Sequence, residues 1–250
     1  MRKYDHLFFD LDDTLWDFKT NSRRAMEETL VQKDILKNLK SFETFFSYYE
    51  EVNKALWNKY HHKKITKAKL ISERFSKSLD AFGITGHVPE ELNHVYLENM
   101  GLQTHLFPNT IETLQLLKIK GYKMHIITNG FREVQGQKLK NCHLTSFFDK
   151  IFISEEIQSA KPHREIFEYA LKSTNSKKEK SIMIGDSWDT DILGARKYGI
   201  DQIMILNQGE KAIPEVIKSS IKRAESFIFV ENDKSKTYFI PEINNLLSIL

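Results

Sequence analysis

From residue 107 to residue 206 the chain alternates short apolar runs with stretches long enough for helices, and this alternation restricts the fold more than any other feature. Residues 123–128, 151–153, 181–185 and 202–206 read as buried strands, and 111–120, 131–142, 164–172 and 190–198 read as helices. Strands separated by helices of this length pair in parallel through right-handed crossovers, with both faces of the sheet covered. The expected fold class is therefore α/β.

A further apolar run lies apart from this block. Leu7-Phe8-Phe9 leads into Asp10-Leu11-Asp12-Asp13-Thr14, so a short strand ends abruptly in three carboxylates. Residues i and i+2 of an extended segment point to the same side, which lets Asp10 and Asp12 face one small volume. Two like charges held close push one pKa upward, an arrangement that calls for a cation or a reaction. Asp10 and Asp12 are thus a candidate metal and nucleophile site.

The intervening stretch is helical throughout. A helix carrying Ala25, Met26, Thr29 and Leu30 is expected behind a cap at Thr20 or Asn21, and Phe42, Phe45, Phe46 and Tyr49 recur at helical spacing into Val52, Leu56, Trp57 and Tyr60. Such an aromatic stripe reads first as core, with individual rings free to serve a ligand. Further helices are expected over 67–82, ended by Gly83, and over 89–99, before Gly101. The chain divides into a core of residues 1–16 and 106–250 and a helical insertion of residues 17–105. Beyond the core strands, a helix over 214–224, a strand over 226–230, and a strand edge with a helix over 240–250 complete the reading, and 172–180 is a solvated turn.

Bulk properties exclude several classes of function. A net charge of +3, with basic and acidic residues interspersed, offers no footprint for nucleic acid or a membrane surface. Cys142 is the single cysteine, which rules out an internal disulfide and gives no basis for a Cys-based zinc site. With no apolar leader and no long apolar span, a cytoplasmic protein is expected, monomeric or homodimeric.

In an open parallel sheet, ligands bind beyond the carboxyl ends of the strands. Those ends carry Asp10, then Thr128-Asn129-Gly130, then Asp186, with Asp189 and Asp191 close behind it, and Ala160-Lys161-Pro162 places an ammonium where a helix is expected to start. Each piece alone is an ordinary cap or turn. Together they match phosphoryl transfer, which needs hard oxygen ligands for Mg²⁺, cations and donors for the phosphoryl oxygens, and an in-line nucleophile. Asp10 would attack phosphorus. Asp12, its pKa raised by its neighbours, would protonate the leaving oxygen and then activate water. Thr128, Asn129 and Lys161 would hold the phosphate, a small-molecule monoester, and Asp186 would anchor Mg²⁺ with Asp191 in support.

Phe9-Asp10-Leu11-Asp12-Asp13-Thr14-Leu15, Ile127-Thr128-Asn129-Gly130, Lys161-Pro162 and Gly185-Asp186-Ser187 through Asp191 resemble, in order, the four motifs of the haloacid dehalogenase superfamily of phosphohydrolases. The resemblance implies a Rossmann-like doubly wound core with an α-helical cap domain inserted after the first motif. It also implies Mg²⁺ held by a carboxylate oxygen of Asp10, the backbone carbonyl of Asp12, and Asp186. Asn53-Lys54-Ala55-Leu56-Trp57, Ile65-Thr66, Phe131 and Ile153-Ser154-Glu155-Glu156 are similar to the pyrimidine 5'-nucleotidase subgroup, whose members dephosphorylate dUMP, dTMP and UMP. On that resemblance Trp57 and Tyr60 are candidates to stack on a base. Four alternatives remain at this point: a phosphatase of phosphoglycolate or sugar phosphates, a phosphomutase, a phosphorylatable signalling switch, and a 2-haloacid dehalogenase, against which Asp12 argues. A 2-haloacid dehalogenase would lack the second carboxylate that Asp12 supplies.

Overall fold

The computed structural model describes residues 2–207, 222–223, 228–231 and 235–250, with backbone only for 222–223 and 228–231. They form two compact units, one of residues 1–18 and 105–250 and the other of residues 19–104.

The first unit is built on one sheet. Strands β1 (His6–Phe9), β2 (Lys123–Thr128), β3 (Lys150–Ile153), β4 (Ser181–Gly185), β5 (Asp201–Ile205), β6 (Lys222–Arg223), β7 (Ile228–Glu231) and β8 (Lys236–Ile240) lie in the order β3-β2-β1-β4-β5-β8-β7-β6. The six from β3 to β8 in that order are parallel, and β7 and β6 extend the edge antiparallel. β1 is flanked by β2 on one side and β4 on the other, so the chain reverses its winding at β1 and opens a crevice at the strand's carboxyl end. The doubly wound α/β expectation holds.

Alternation along β1 serves the two faces of this sheet. The core helices are α5 (Thr110–Ile119), α6 (Arg132–Asn141), α7 (Ser154–Ile157), α8 (Arg164–Thr174) and α9 (Leu193–Tyr198), numbered after the four of the helical unit. Phe8 packs with Ile127, Phe152 and Met183 against α8 and α9, through Ile166, Phe167, Ala170 and Ala195. Phe9, on the opposite face, meets the Phe148 ring edge-on at 5.9 Å. Burying a side chain of this size contributes about 1.5–3 kcal/mol each, which fixes β1 at the centre.

One polar pair is built into the apolar face. His6 Nδ1 and His125 Nε2 lie 3.1 Å apart with stacked rings, beneath Phe8 and Phe152, and His125 Nδ1 has no hydrogen-bond partner among the described residues. Burial, reinforced by His6, Lys150 and Lys123, pulls His125 down to about 3, and burial with Lys123 and Arg2 lowers His6 against the opposing pull of Asp5 and Asp149. A depressed folded pKa means that the unfolded chain binds the proton more readily. Stability is therefore full above the ordinary histidine value and is lost as pH falls from about 6.5 toward 3, with a slope approaching about 1.4 kcal/mol per pH unit from His125 alone. Denaturant unfolding at pH 7, 6 and 5 should show His125→Phe with a flatter dependence than wild type, and parallel curves would contradict this account.

The second unit is all helical. It comprises most of α1 (Phe18–Gln32), then α2 (Phe42–His61), α3 (Lys67–Ala81) and α4 (Pro89–Leu102), with α2 packed on α3 and α3 on α4. Ser41 and Thr66 cap α2 and α3 by accepting the N–H groups of Thr44 and Lys69. The aromatic stripe is core, as expected: Tyr49, Phe75 and Tyr96 meet with centroids 5.5–5.8 Å apart around the buried guanidinium of Arg74, which donates to Asn93 and Asn53. Trp57 and Tyr60 are half-buried near the end of α2, ring edge to face at 5.6 Å. No helix among the described residues is long and apolar enough to cross a membrane.

Several boundaries differ from the sequence reading. Thr20 and Asn21 lie inside α1, which starts at Phe18 because the Asp13 carboxylate accepts the Phe18 N–H at 3.2 Å. Helix α4 runs through Gly101, where burial outweighs the roughly 1 kcal/mol propensity cost of glycine. Pro162 does not open a helix: the Lys161–Pro162 peptide is cis and α8 begins at Arg164. The expected helix over 190–198 starts with a π turn at Trp188–Ile192. The helix over 214–224 falls mostly outside the described residues, and the two that are described, Lys222 and Arg223, are strand. Finally, the terminal strand is Lys236–Ile240, internal to the sheet and no edge, followed by a 3₁₀ turn.

Candidate active site

At the crevice above β1, Asp10 donates its backbone N–H to the Ile184 carbonyl at 2.8 Å, which locks the loop to the end of β4. Its carboxylate is buried and accepts from Lys161 Nζ at 2.6 Å, and the same ammonium pairs with Asp191 at 2.6 Å. Asp186 accepts from the Thr14 hydroxyl at 3.1 Å. Carboxylate oxygens of Asp10, Asp186 and Asp191 all lie within 4.8 Å of one another. Gly185 makes this possible, since a Cβ there would stand 2.3 Å from an Asp191 oxygen.

Three acids against one ammonium leave the cluster short of positive charge. Burial drives Asp10 up to about 7 despite Lys161, with Asp191 and Asp12 pushing the same way. Burial also raises Asp186 well above the carboxylate range, helped by Asp191, Asp10 and Asp13. For Lys161 burial works against the charge, but Asp10 and Asp191 outweigh it and hold the ammonium charged. Hard oxygens that repel one another in a buried pocket fit a small divalent cation such as Mg²⁺. A cation there would reverse the local pKa logic and return Asp10 to its ionised, nucleophilic form.

Asp12 points elsewhere. One carboxylate oxygen accepts from Lys138 Nζ at 2.7 Å and the other from Gln135 Nε2 at 2.9 Å, both residues on helix α6 (Arg132–Asn141). The same Gln135 amide nitrogen donates to the Thr128 hydroxyl oxygen at 2.6 Å, which leaves the hydroxyl proton to be donated onward. A Cβ at Gly130 would meet that nitrogen at 2.3 Å, so glycine is what admits Gln135. Asn129 turns its side chain to the main chain of Lys161, donating to its carbonyl at 2.9 Å and accepting its N–H at 2.8 Å. Its side chain therefore seats the lysine.

Asp10, Asp12, Thr128, Asn129, Lys161, Asp186 and Asp191 thus converge within one unit, whereas Asp189 is exposed on the π turn and outside the cluster. Trp57 and Tyr60 belong to the helical unit. Sequence reasoning missed Gln135 and Lys138. It also passed over Asp13, which takes a left-handed conformation, φ 58°, and caps α1. The overlooked signal was in α6, where Val134, Gln135, Lys138 and Leu139 are all buried on one helical face.

Residues 4–199 match the haloacid dehalogenase-like hydrolase family model. The pyrimidine 5'-nucleotidase PynA of Streptococcus pneumoniae is 34% identical over 80% of this chain and 83% of its own. The pyrimidine 5'-nucleotidase YjjG of Escherichia coli is 31% identical over 86% and 91%. Among solved structures, the putative HAD-hydrolase YfnB of Bacillus subtilis, bound to magnesium, superposes with a TM-score of 0.78 at 27% identity, covering 86% of this chain and 93% of that one. The chain belongs to the haloacid dehalogenase-like hydrolases.

Proposed function

We propose that the protein is a Mg²⁺-dependent phosphatase that hydrolyses pyrimidine nucleoside 5'-monophosphates such as dUMP, dTMP and UMP through an aspartyl phosphate on Asp10. The observation that carries this reading is the separation of two carboxylates two residues apart. Asp10 is buried with Lys161, Asp186 and Asp191, while Asp12 is held on Lys138 and Gln135.

Carboxylate oxygens of Asp10, Asp186 and Asp191 and the main-chain carbonyl of Asp12 would hold Mg²⁺, which supplies charge neutralisation for the phosphoryl oxygens. Lys161 and the Thr128 hydroxyl bind those oxygens. An Asp10 oxygen forms a bond to phosphorus as the ester P–O bond breaks, and the leaving oxygen takes the proton carried by the Asp12 carboxyl. Asp12, now a carboxylate, accepts a proton from water, whose oxygen displaces Asp10 from phosphorus. Inorganic phosphate leaves, and both aspartates return to their starting forms.

Nothing in this machinery depends on what lies beyond the ester oxygen, so substrate choice must come from residues outside it. The nucleotidase relatives and the Trp57–Tyr60 pair support a base-stacking role there. Phosphate release from dUMP, dTMP, UMP, purine nucleotides, phosphoglycolate and sugar phosphates, each with and without Mg²⁺, tests the proposal. Pyrimidine nucleotides should lead, turnover should vanish on chelation, and Trp57→Ala should raise KM for nucleotides while sparing p-nitrophenyl phosphate. Better turnover of phosphoglycolate or a sugar phosphate would replace the substrate assignment and leave the chemistry intact.

A further inference from the structure

Helix α6 contributes two side chains that no motif of the sequence reading included. Gln135 and Lys138 are three residues apart, so they share one face of the helix and reach the same carboxylate. Lys138 binds one Asp12 oxygen and Gln135 the other. Neither is a surface contact: the Lys138 side chain is 3% exposed, and its ammonium sits 4.0 Å from the Trp16 ring centroid and 5.6 Å from that of Phe18. Those rings give the ammonium favourable contacts besides the Asp12 carboxylate.

The Gln135 amide is more constrained still. Both of its protons are committed, one to Asp12 and one to Thr128. Turning the amide over would set its oxygen against a carboxylate, so its orientation is dictated by its neighbours. One nitrogen therefore joins the carboxyl that moves protons to the hydroxyl that holds the phosphate.

We propose that Gln135 and Lys138 are positioning residues that hold the Asp12 carboxyl toward the leaving-group oxygen and away from the cation cluster. This inference rests on the acid–base role given to Asp12 above. Asp12 is only two residues from Asp10, and a free Asp12 carboxylate would be drawn to any cation held by Asp10, Asp186 and Asp191. The α6 bracket offers both of its oxygens better-fitted partners, and Gly130 preserves the room that bracket needs.

A leaving-group series separates positioning from simple structural support. For the full-length enzyme with Mg²⁺, kcat/KM is measured on p-nitrophenyl phosphate, phenyl phosphate and an alkyl phosphate, because it reports the step in which the ester bond breaks. p-Nitrophenolate departs without a proton; an alkoxide does not. Lys138→Met should lose about 10²-fold on the alkyl ester, the order expected for misplaced general acid catalysis, and only a few-fold on the p-nitrophenyl ester. Lys138→Arg should recover part of the alkyl activity, and Gly130→Ala, whose Cβ would fall on the Gln135 amide, should steepen the series in the same sense. Uniform loss across the series in Lys138→Met and Gly130→Ala would overturn the proposal. Asp12→Asn is the reference: if it fails to steepen the series, the acid–base reading itself falls, whereas a steepened Asp12→Asn beside unsteepened α6 variants sinks only the bracket.

Discussion

Asp10→Asn is expected to abolish turnover of every phosphate ester while leaving the protein at least as stable as wild type without metal. The amide keeps the shape of the carboxyl but has no nucleophilic oxygen to attack phosphorus, so kcat should fall by about 10⁴-fold or more, as when the nucleophile of a covalent mechanism is removed. The fold does not suffer, because Asp10 is one of three clustered acids beside a single ammonium, and burial already pushes it toward its neutral form. Lys161 retains its ion pair with Asp191 at 2.6 Å. Replacing a charge that is costly to bury with a neutral isostere relieves repulsion, the usual relation between an active site and the stability it gives up. Phosphate release checks the first half, and thermal unfolding in chelator checks the second. Activity within tenfold of wild type would remove Asp10 from the mechanism, and a fall in Tm would mean that Asp10 is primarily a structural partner of Lys161.

The sequence disclosed the parts of this site that a parallel sheet places by rule. Asp10, Thr128 and Asp186 each follow an apolar run, and strand ends are where such a sheet exposes its ligands. Lys161 and Asp191 were legible as members of the same ordered set, though the way they meet was not. A cis peptide precedes Pro162, and a π turn brings Asp191 back under Gly185, where its carboxylate accepts the Ser187 N–H at 3.1 Å. Neither conformation follows from spacing, because spacing presumes ordinary helical geometry.

What stayed hidden had a different cause. Gln135 and Lys138 are polar residues in a helix rich in polar residues, and a polar helix position reads as solvent-facing unless its register against the sheet is known. Asp13 looked redundant beside two functional acids, yet its value lies in its backbone: it turns the chain at φ 58° and caps the helix that follows. Likewise the sequence reads as a strand edge beginning at residue 240, whereas the strand is Lys236–Ile240 and internal, since a pattern of alternating residues does not say how many neighbours a strand will have. Fold class therefore came from periodicity, which is local, whereas the placement of Asp12 depends on a contact between residues 126 positions apart.

Lys161→Met should produce the largest loss of stability of any single substitution at the site, together with near-complete loss of activity. The ammonium is fully buried and is the cation that Asp10 and Asp191 share. Removing one partner of a buried ion pair costs about 3–5 kcal/mol, because the charges left behind are neither solvated nor paired. For a chain of this size that corresponds to a fall in Tm of roughly 10 °C in metal-free buffer. The sign of its pH dependence follows from the same charges. With Lys161 gone, the folded-state pKa values of the clustered acids rise further above their unfolded values, so the native state takes up protons more readily and the deficit should shrink as pH is lowered from 8 to 6. Mg²⁺ should stabilise the variant by more than it stabilises wild type, since the metal would then be the only compensating charge in the pocket. Scanning calorimetry of both proteins, in chelator and in Mg²⁺, measures all three effects. Equal Tm values in chelator would show that Asp10, Asp186 and Asp191 are already protonated at neutral pH, and the charge argument for a cation at this site would fail with them.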